Sequence, residues 1–136
     1  MITDCYIKGR FDFGVGKCAV VIVENDEVVY KRGWAIKESF LWEEQTIEPD
    51  QFNCEIVAAT HAMRWCSENQ RKLANIYANT STCQKWYYRR EFPEGRVMGD
   101  AFNKFAEGID VYADYIPKKD TNQYNMMVND LAMKAK

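Results

Sequence analysis

The spacing of apolar positions changes along this 136-residue chain, and the changes mark out its elements. Residues 17–23 carry Cys18-Ala19-Val20-Val21-Ile22-Val23, an unbroken apolar run that predicts a buried strand. A polar turn, Glu24-Asn25-Asp26-Glu27, joins it to a third strand at 28–35, which predicts a hairpin. Upstream, 2–8 predicts a first strand with Asp4 inside it, and Gly14 and Gly16 permit a turn or a close backbone approach. Residues 37–48 are polar and acidic around Phe40, Leu41 and Trp42, and read as a connection. From 50 to 69 the period becomes helical: Phe52, Ile56, Ala59, Met63 and Cys66 follow Pro49 and an N-cap at Asp50. Beyond it the pattern predicts a strand at 73–78, a helix at 80–88, a loop at 89–99 and a short helix at 101–106. An alternating strand at 109–116, a loop at 117–123 and a closing helix at 124–135 complete the chain, with Met127, Leu131 and Ala135 on one stripe of that helix.

The order is therefore three strands, helix, strand, helix, strand, helix. Hairpin-linked strands run antiparallel, and strands joined through helices run parallel with right-handed crossovers. The expected fold is a single α/β domain over 1–136. Its mixed five-stranded sheet has three antiparallel strands followed by two parallel ones, with helices on both faces.

Composition changes this picture only where it excludes. A net charge of -2 gives no global basic footprint, so a nucleic-acid partner must be held by a local basic surface. The acidic stretch from Glu38 to Asp50 would repel such a partner, which confines binding to one face. No apolar run is long enough to span a membrane, and Met1-Ile2-Thr3-Asp4 lacks the features of a secretory leader. Five cysteines without a C-x-x-C pair suggest free thiols in a reducing compartment, hence a cytoplasmic protein.

Glu55 is the focal residue, a carboxylate near the start of the long helix. Alone it reads equally well as compensation of the helix dipole. Cys5 beside Asp4 and Cys54 beside Glu55 lack a zinc-ligand spacing. His61, six residues after Glu55, falls off its face and reads as structural, and it forms a nucleophile pair with Ser81 only on paper. Met126-Met127 reads as core filling.

Several blocks, in order, resemble a known family. Ile2-Thr3-Asp4, Gly14-x-Gly16 before Val20-Val21-Ile22-Val23-Glu24-Asn25, Cys54-Glu55-Ile56-Val57-Ala58-Ala59, Ile76-Tyr77-Ala78-Asn79 and Tyr124 to Ala132 together make the chain similar to the type-1 ribonucleases H over nearly its full length. The resemblance implies metal-assisted cleavage of the RNA strand of an RNA–DNA hybrid. In that chemistry two divalent ions about 3.5–4 Å apart clamp the attacking and leaving oxygens. It implies Mg2+ or Mn2+ held by four carboxylates, with a histidine in the loop before the last helix.

Carried over, the pattern places Asp4 and Glu55 at the first two ligands, Asn79 at the third and Asn129 at the fourth. Asp130 lies one residue beyond, about 100° round the helix. Lys119 falls at the histidine position, and its ammonium is expected near Asp4 and Glu55 as a partial substitute for a missing cation. An Asn offers a carbonyl oxygen but no charge, so the resemblance implies a degenerate two-metal site. For nucleic acid, the expected contacts are Gln51, Asn53, Lys85, Trp86, Arg89 and Arg90, with Tyr87 and Arg96 beside them. Three functions follow as alternatives: a hybrid-binding domain with weak or absent cleavage, an active Mg/Mn-dependent endoribonuclease, or a protein-interaction scaffold. The first is the expectation adopted, with a monomeric protein and an RNA–DNA hybrid as partner.

Overall fold

The computed structural model describes residues 1–94 and 96–136. Strands β1 (Thr3–Asp12), β2 (Val15–Glu24) and β3 (Glu27–Ile36) form an antiparallel meander. A two-stranded hairpin, β4 (Phe40–Trp42) and β5 (Gln45–Ile47), leads into α1 (Gln51–Glu68). Then come β6 (Leu73–Ala78), a π-helical turn at Gln84–Tyr88, α2 (Val97–Phe105), β7 (Asp110–Tyr115) and α3 (Gln123–Lys134). The main sheet has the order β3-β2-β1-β6-β7, with β1, β6 and β7 mutually parallel. This is the expected mixed sheet of three antiparallel strands followed by two parallel ones.

Both faces of the sheet are covered, which explains the unbroken apolar run in β2. Cys18, Val20 and Ile22 pack with Cys5 and Ile7 under α1 and α2, while Ala19, Val21 and Val23 pack with Tyr6 under α3. On α1, Ile56, Ala59, Met63 and Cys66 are buried as the stripe predicts, whereas Phe52 stays partly exposed. Asp50 caps the helix by accepting from the Asn53 amide at 2.7 Å. All five cysteines are free and buried. Among the described residues no helix is long and apolar enough to cross a membrane.

Four local expectations are corrected. The segment read as a connection holds the β4–β5 hairpin, because Phe40 and Trp42 find apolar contacts against the core. The helix expected over 80–88 is only the π-helical turn Gln84–Tyr88, and α2 begins at Val97 instead of 101. Strand β1 runs to Asp12, well past the expected end at Lys8. Gly9 makes this possible, since a Cβ there would overlap the backbone of Glu55 on α1. The contact fixes β1 against the helix at that point and sets which residues of β1 meet Glu55.

Candidate functional site at the carboxyl ends of the parallel strands

In open α/β sheets, ligands bind beyond the carboxyl ends of the strands. Here β1 and β6 pair in parallel with Asp4 opposite Asn75 and Tyr6 opposite Tyr77. Two residues further on, Lys8 faces Asn79, and its Nζ donates to Asn79 Oδ1 at 3.1 Å. Asp4 therefore lies four residues upstream of the residue aligned with Asn79, about 13 Å at strand rise. It is too far away to share an ion with Asn79. The place expected for the first carboxylate is held by an ammonium.

Glu55 reaches the centre from α1 and is 4% exposed. Its Oε1 accepts from Thr80 Oγ1 at 2.7 Å and its Oε2 from Tyr87 Oη at 3.1 Å. Burial pushes its carboxyl above the ordinary value, and the two hydroxyls and the nearby Lys8 charge pull the other way. Lys8, 7% exposed, is brought down to about 8 by burial and by the adjacent Lys118 charge, with Glu55 opposing. Arg10 adds a further repulsion on Lys8 while itself pairing with Asp12 at 2.9 Å.

Asn79 and Asn125 wire this centre to α3. Asn79 Nδ2 donates to Ile116 O at 2.8 Å and to Asn125 Oδ1 at 3.1 Å. Asn125, 1% exposed, donates from Nδ2 to the carbonyls of Pro117, Lys118 and Asp120, which shapes the loop before α3. Asn129 lies one turn further along, with Nδ2 3.4 Å from Lys118 O and a buried Oδ1 that has no partner among the described residues. Beside the centre opens a groove of about 430 Å³ whose walls carry Arg10, Lys118 and Lys119 together with Asp120, Asp130 and Asn129.

Of the expected ligands, the structure brings Glu55 and Asn79 together around Lys8, places Asn129 and Asp130 on the wall of the adjoining groove, and leaves Asp4 out. Asp130 is exposed there and pairs with Lys134 at 3.0 Å. Lys119 is exposed on the loop, and its neighbour Lys118 is the lysine whose charge reaches Lys8. The expectation of the Lys119 ammonium beside Asp4 and Glu55 is therefore replaced by Lys8 beside Glu55.

Of the expected nucleic-acid contacts, Gln51, Lys85 and Arg89 are exposed. Trp86 is 6% exposed and packs against Phe52, Tyr87 and Phe92. Arg90 donates to the carbonyls of Ala106 and Ile109 and so closes the turn after α2. Asn53 is occupied at the head of α1, donating to Glu48 O and accepting from Arg96, which also pairs with Asp50 at 3.1 Å. Trp86, Arg90, Asn53 and Arg96 are structural here because each polar group already has an internal partner or its ring is covered. Sequence reasoning missed Lys8, Arg10, Lys118 and the pairing of Glu55 with Thr80 and Tyr87. The signal for Lys8 was the Gly9 that follows it, a glycine inside the strand that marks the close approach to α1.

The residues present do not fit a pair of hard dications, which need several anionic oxygens. Among the described residues no three His, Cys, Asp or Glu side chains converge to hold an ion. At an effective dielectric of 20, a dication 4 Å from Lys8 is repelled by about 8 kcal/mol, and one carboxylate at that distance merely cancels it.

The fold is that of ribonuclease H. Ribonuclease H1 from the halophilic archaeon Halobacterium salinarum superimposes with a TM-score of 0.74 at 14% identity, over 99% of this chain and 97% of that one. The N-terminal RNase H domain of a Mycobacterium tuberculosis protein, solved as a maltose-binding-protein fusion, gives 0.76 at 10% identity over 99% and 98%. LC11-RNase H1, crystallised with an RNA/DNA hybrid, gives 0.63 at 11% identity over 97% of each chain. No family model and no curated protein sequence matches the chain.

Proposed function

We propose that this protein binds RNA–DNA hybrid, or a closely related duplex, through lysine and arginine contacts to backbone phosphate, and that it does not cleave it. The supporting observation is the Lys8–Asn79 hydrogen bond at 3.1 Å, which puts a buried cation where this fold would otherwise gather metal-binding carboxylates. A backbone phosphate carries the negative charge that this centre lacks. Lys8 lies at its floor, and Arg10, Lys118 and Lys119 stand at its mouth. Such contacts are sequence-independent, and each releases counterions. The hybrid seen with LC11-RNase H1 makes a hybrid the first substrate to test.

The test is anisotropy of a labelled hybrid across a salt series, with gel analysis of the same samples in Mg2+ and in Mn2+. Binding is expected to weaken steeply with salt, and Lys118→Gln is expected to reduce the log–log slope by about one. No strand scission is expected with either metal. Metal-dependent cleavage by the wild-type chain, or absence of binding at low salt, overturns the proposal.

A further inference from the structure

On the face of α1 away from the centre lies a second cleft, of about 230 Å³. Its walls come from four separate elements: Trp34 on β3, Trp42 on β4, His61 on α1 and Phe105 on α2. The rings pack as a cage. Trp34 and His61 have centroids 5.0 Å apart and tilted planes, and Trp42 and Phe105 are 6.1 Å apart. Aromatic rings alone would favour a cationic guest. The charges at the mouth rule that out, because Arg32 and Arg64 both line the cleft and no carboxylate does. Arg64 is engaged with Glu68 at 2.9 Å on the exposed side of α1. Arg32 has no carboxylate partner among the described residues, and its guanidinium sits over the Trp34 ring, 5.1 Å from its centroid.

We infer that this cleft is a binding site for a small planar aromatic anion, with its ring between the tryptophans and its acidic group on Arg32. The volume suits one fused ring system and excludes an oligonucleotide. Stacking on Trp34 holds the Arg32 fork in place before a ligand arrives, so little side-chain freedom is lost on binding. His61 is fixed by the Tyr30 hydroxyl, 2.7 Å from Nε2, and presents its ring to the cleft as a wall. Burial, with Arg32 and Arg64 adding to it and Glu68 opposing, keeps the imidazole below its ordinary value. An anion seated beside it reverses part of that repulsion.

This site is independent of the phosphate-binding centre, and the chain supplies its own reporter, since His61 is its one histidine. The experiment follows the His61 ring protons by NMR during titration with 2-naphthoate, with neutral 2-naphthamide as the matched control. The acid is expected to shift the resonance saturably and to raise the imidazole pKa. The amide is expected to bind about tenfold more weakly, the value of one charge-assisted hydrogen bond. Arg32→Gln, at an exposed position on β3, should bring the acid to the level of the amide without altering hybrid binding. No saturable shift with 2-naphthoate, equal binding of acid and amide, or an unchanged preference in Arg32→Gln overturns the inference.

Discussion

Two glutamates are buried to nearly the same degree at opposite ends of β1, and their surroundings give them opposite titration behaviour. Glu24 receives two bonds from Arg71, at 2.6 and 3.0 Å, and a third from the Thr3 hydroxyl at 2.7 Å. The guanidinium holds its carboxyl below the usual range, and Thr3 assists. Glu55 receives two neutral hydroxyls, and Lys8 approaches it without bonding directly, so burial wins and its carboxyl is pushed up. Burial therefore does not determine the charge of a carboxyl group; the partner does. At one end the ion pair ties the start of β1 and the end of β2 to the segment after α1. At the other the chain keeps an incompletely compensated charge, as expected of a site that meets something from outside.

The largest expected effect comes from turning the Glu55 end into a carboxylate cage. In the variant carrying Lys8→Asp, Asn79→Asp and Asn129→Asp, Mg2+ should raise Tm, and hybrid cleavage should appear that the wild-type chain is expected to lack. A further Glu55→Gln should remove both effects. A variant that stays folded yet is indifferent to Mg2+ would show that the cage geometry has been lost as well as its charge.

Stability separates the two ends next. Arg71→Met strands Glu24 without its cation and should lower Tm at pH 7 by several degrees, a loss that fades in acid as Glu24 takes up a proton. Glu55→Gln replaces a group whose charged form burial already disfavours and should leave Tm within about 3 °C. Equal losses from the two variants by calorimetry would contradict the comparison.

The smallest effect is a set of slopes against pH. Lys8 releases its proton at about 8 in the folded chain and near 10.5 unfolded, so the unfolded state binds more protons in that window. Stability should rise across it, by on the order of 2 kcal/mol after allowing for solvent screening, and Lys8→Met should flatten the rise. The glutamates act with opposite signs in acid. The contribution of Glu24 is present above 4.5 and fades as pH falls through its lowered value. That of Glu55 is present below 4.5 and fades as pH rises through its raised value. Denaturant midpoints across pH for wild type and Lys8→Met give the lysine contribution directly, and parallel curves would refute it.

The sheet was legible from the sequence because period and order constrain it twice over. The both-faces-apolar run in β2, the alternation in β7 and the stripe on α1 admit one arrangement of hairpins and crossovers. The β4–β5 hairpin was not legible, since three-residue strands carry too little pattern among acidic neighbours. Within the site, the family resemblance pointed to Glu55 and Asn79, which the structure brings to either side of Lys8. It misled at Asp4, because a Thr-Asp pair on the same strand imitates the expected motif four residues early. What fixes the register is the contact of Gly9 with the α1 backbone, a feature of packing that strand periodicity does not carry. Trp86 and Arg90 were misjudged for a related reason: whether an aromatic or an arginine faces outward depends on partners such as Phe92 and the Ala106 carbonyl, which come from later in the chain.

The Asn79–Asn125 link has a consequence for synthesis. Lys8 is synthesised well before Asn125, and the amide of Asn79 is fully engaged only once both are present. During translation the nascent sheet can pair while its ligand-facing end still lacks the α3 side chain that shapes the neighbouring loop. The loop before α3, which Asn125 shapes, is therefore the last part of this centre to take form.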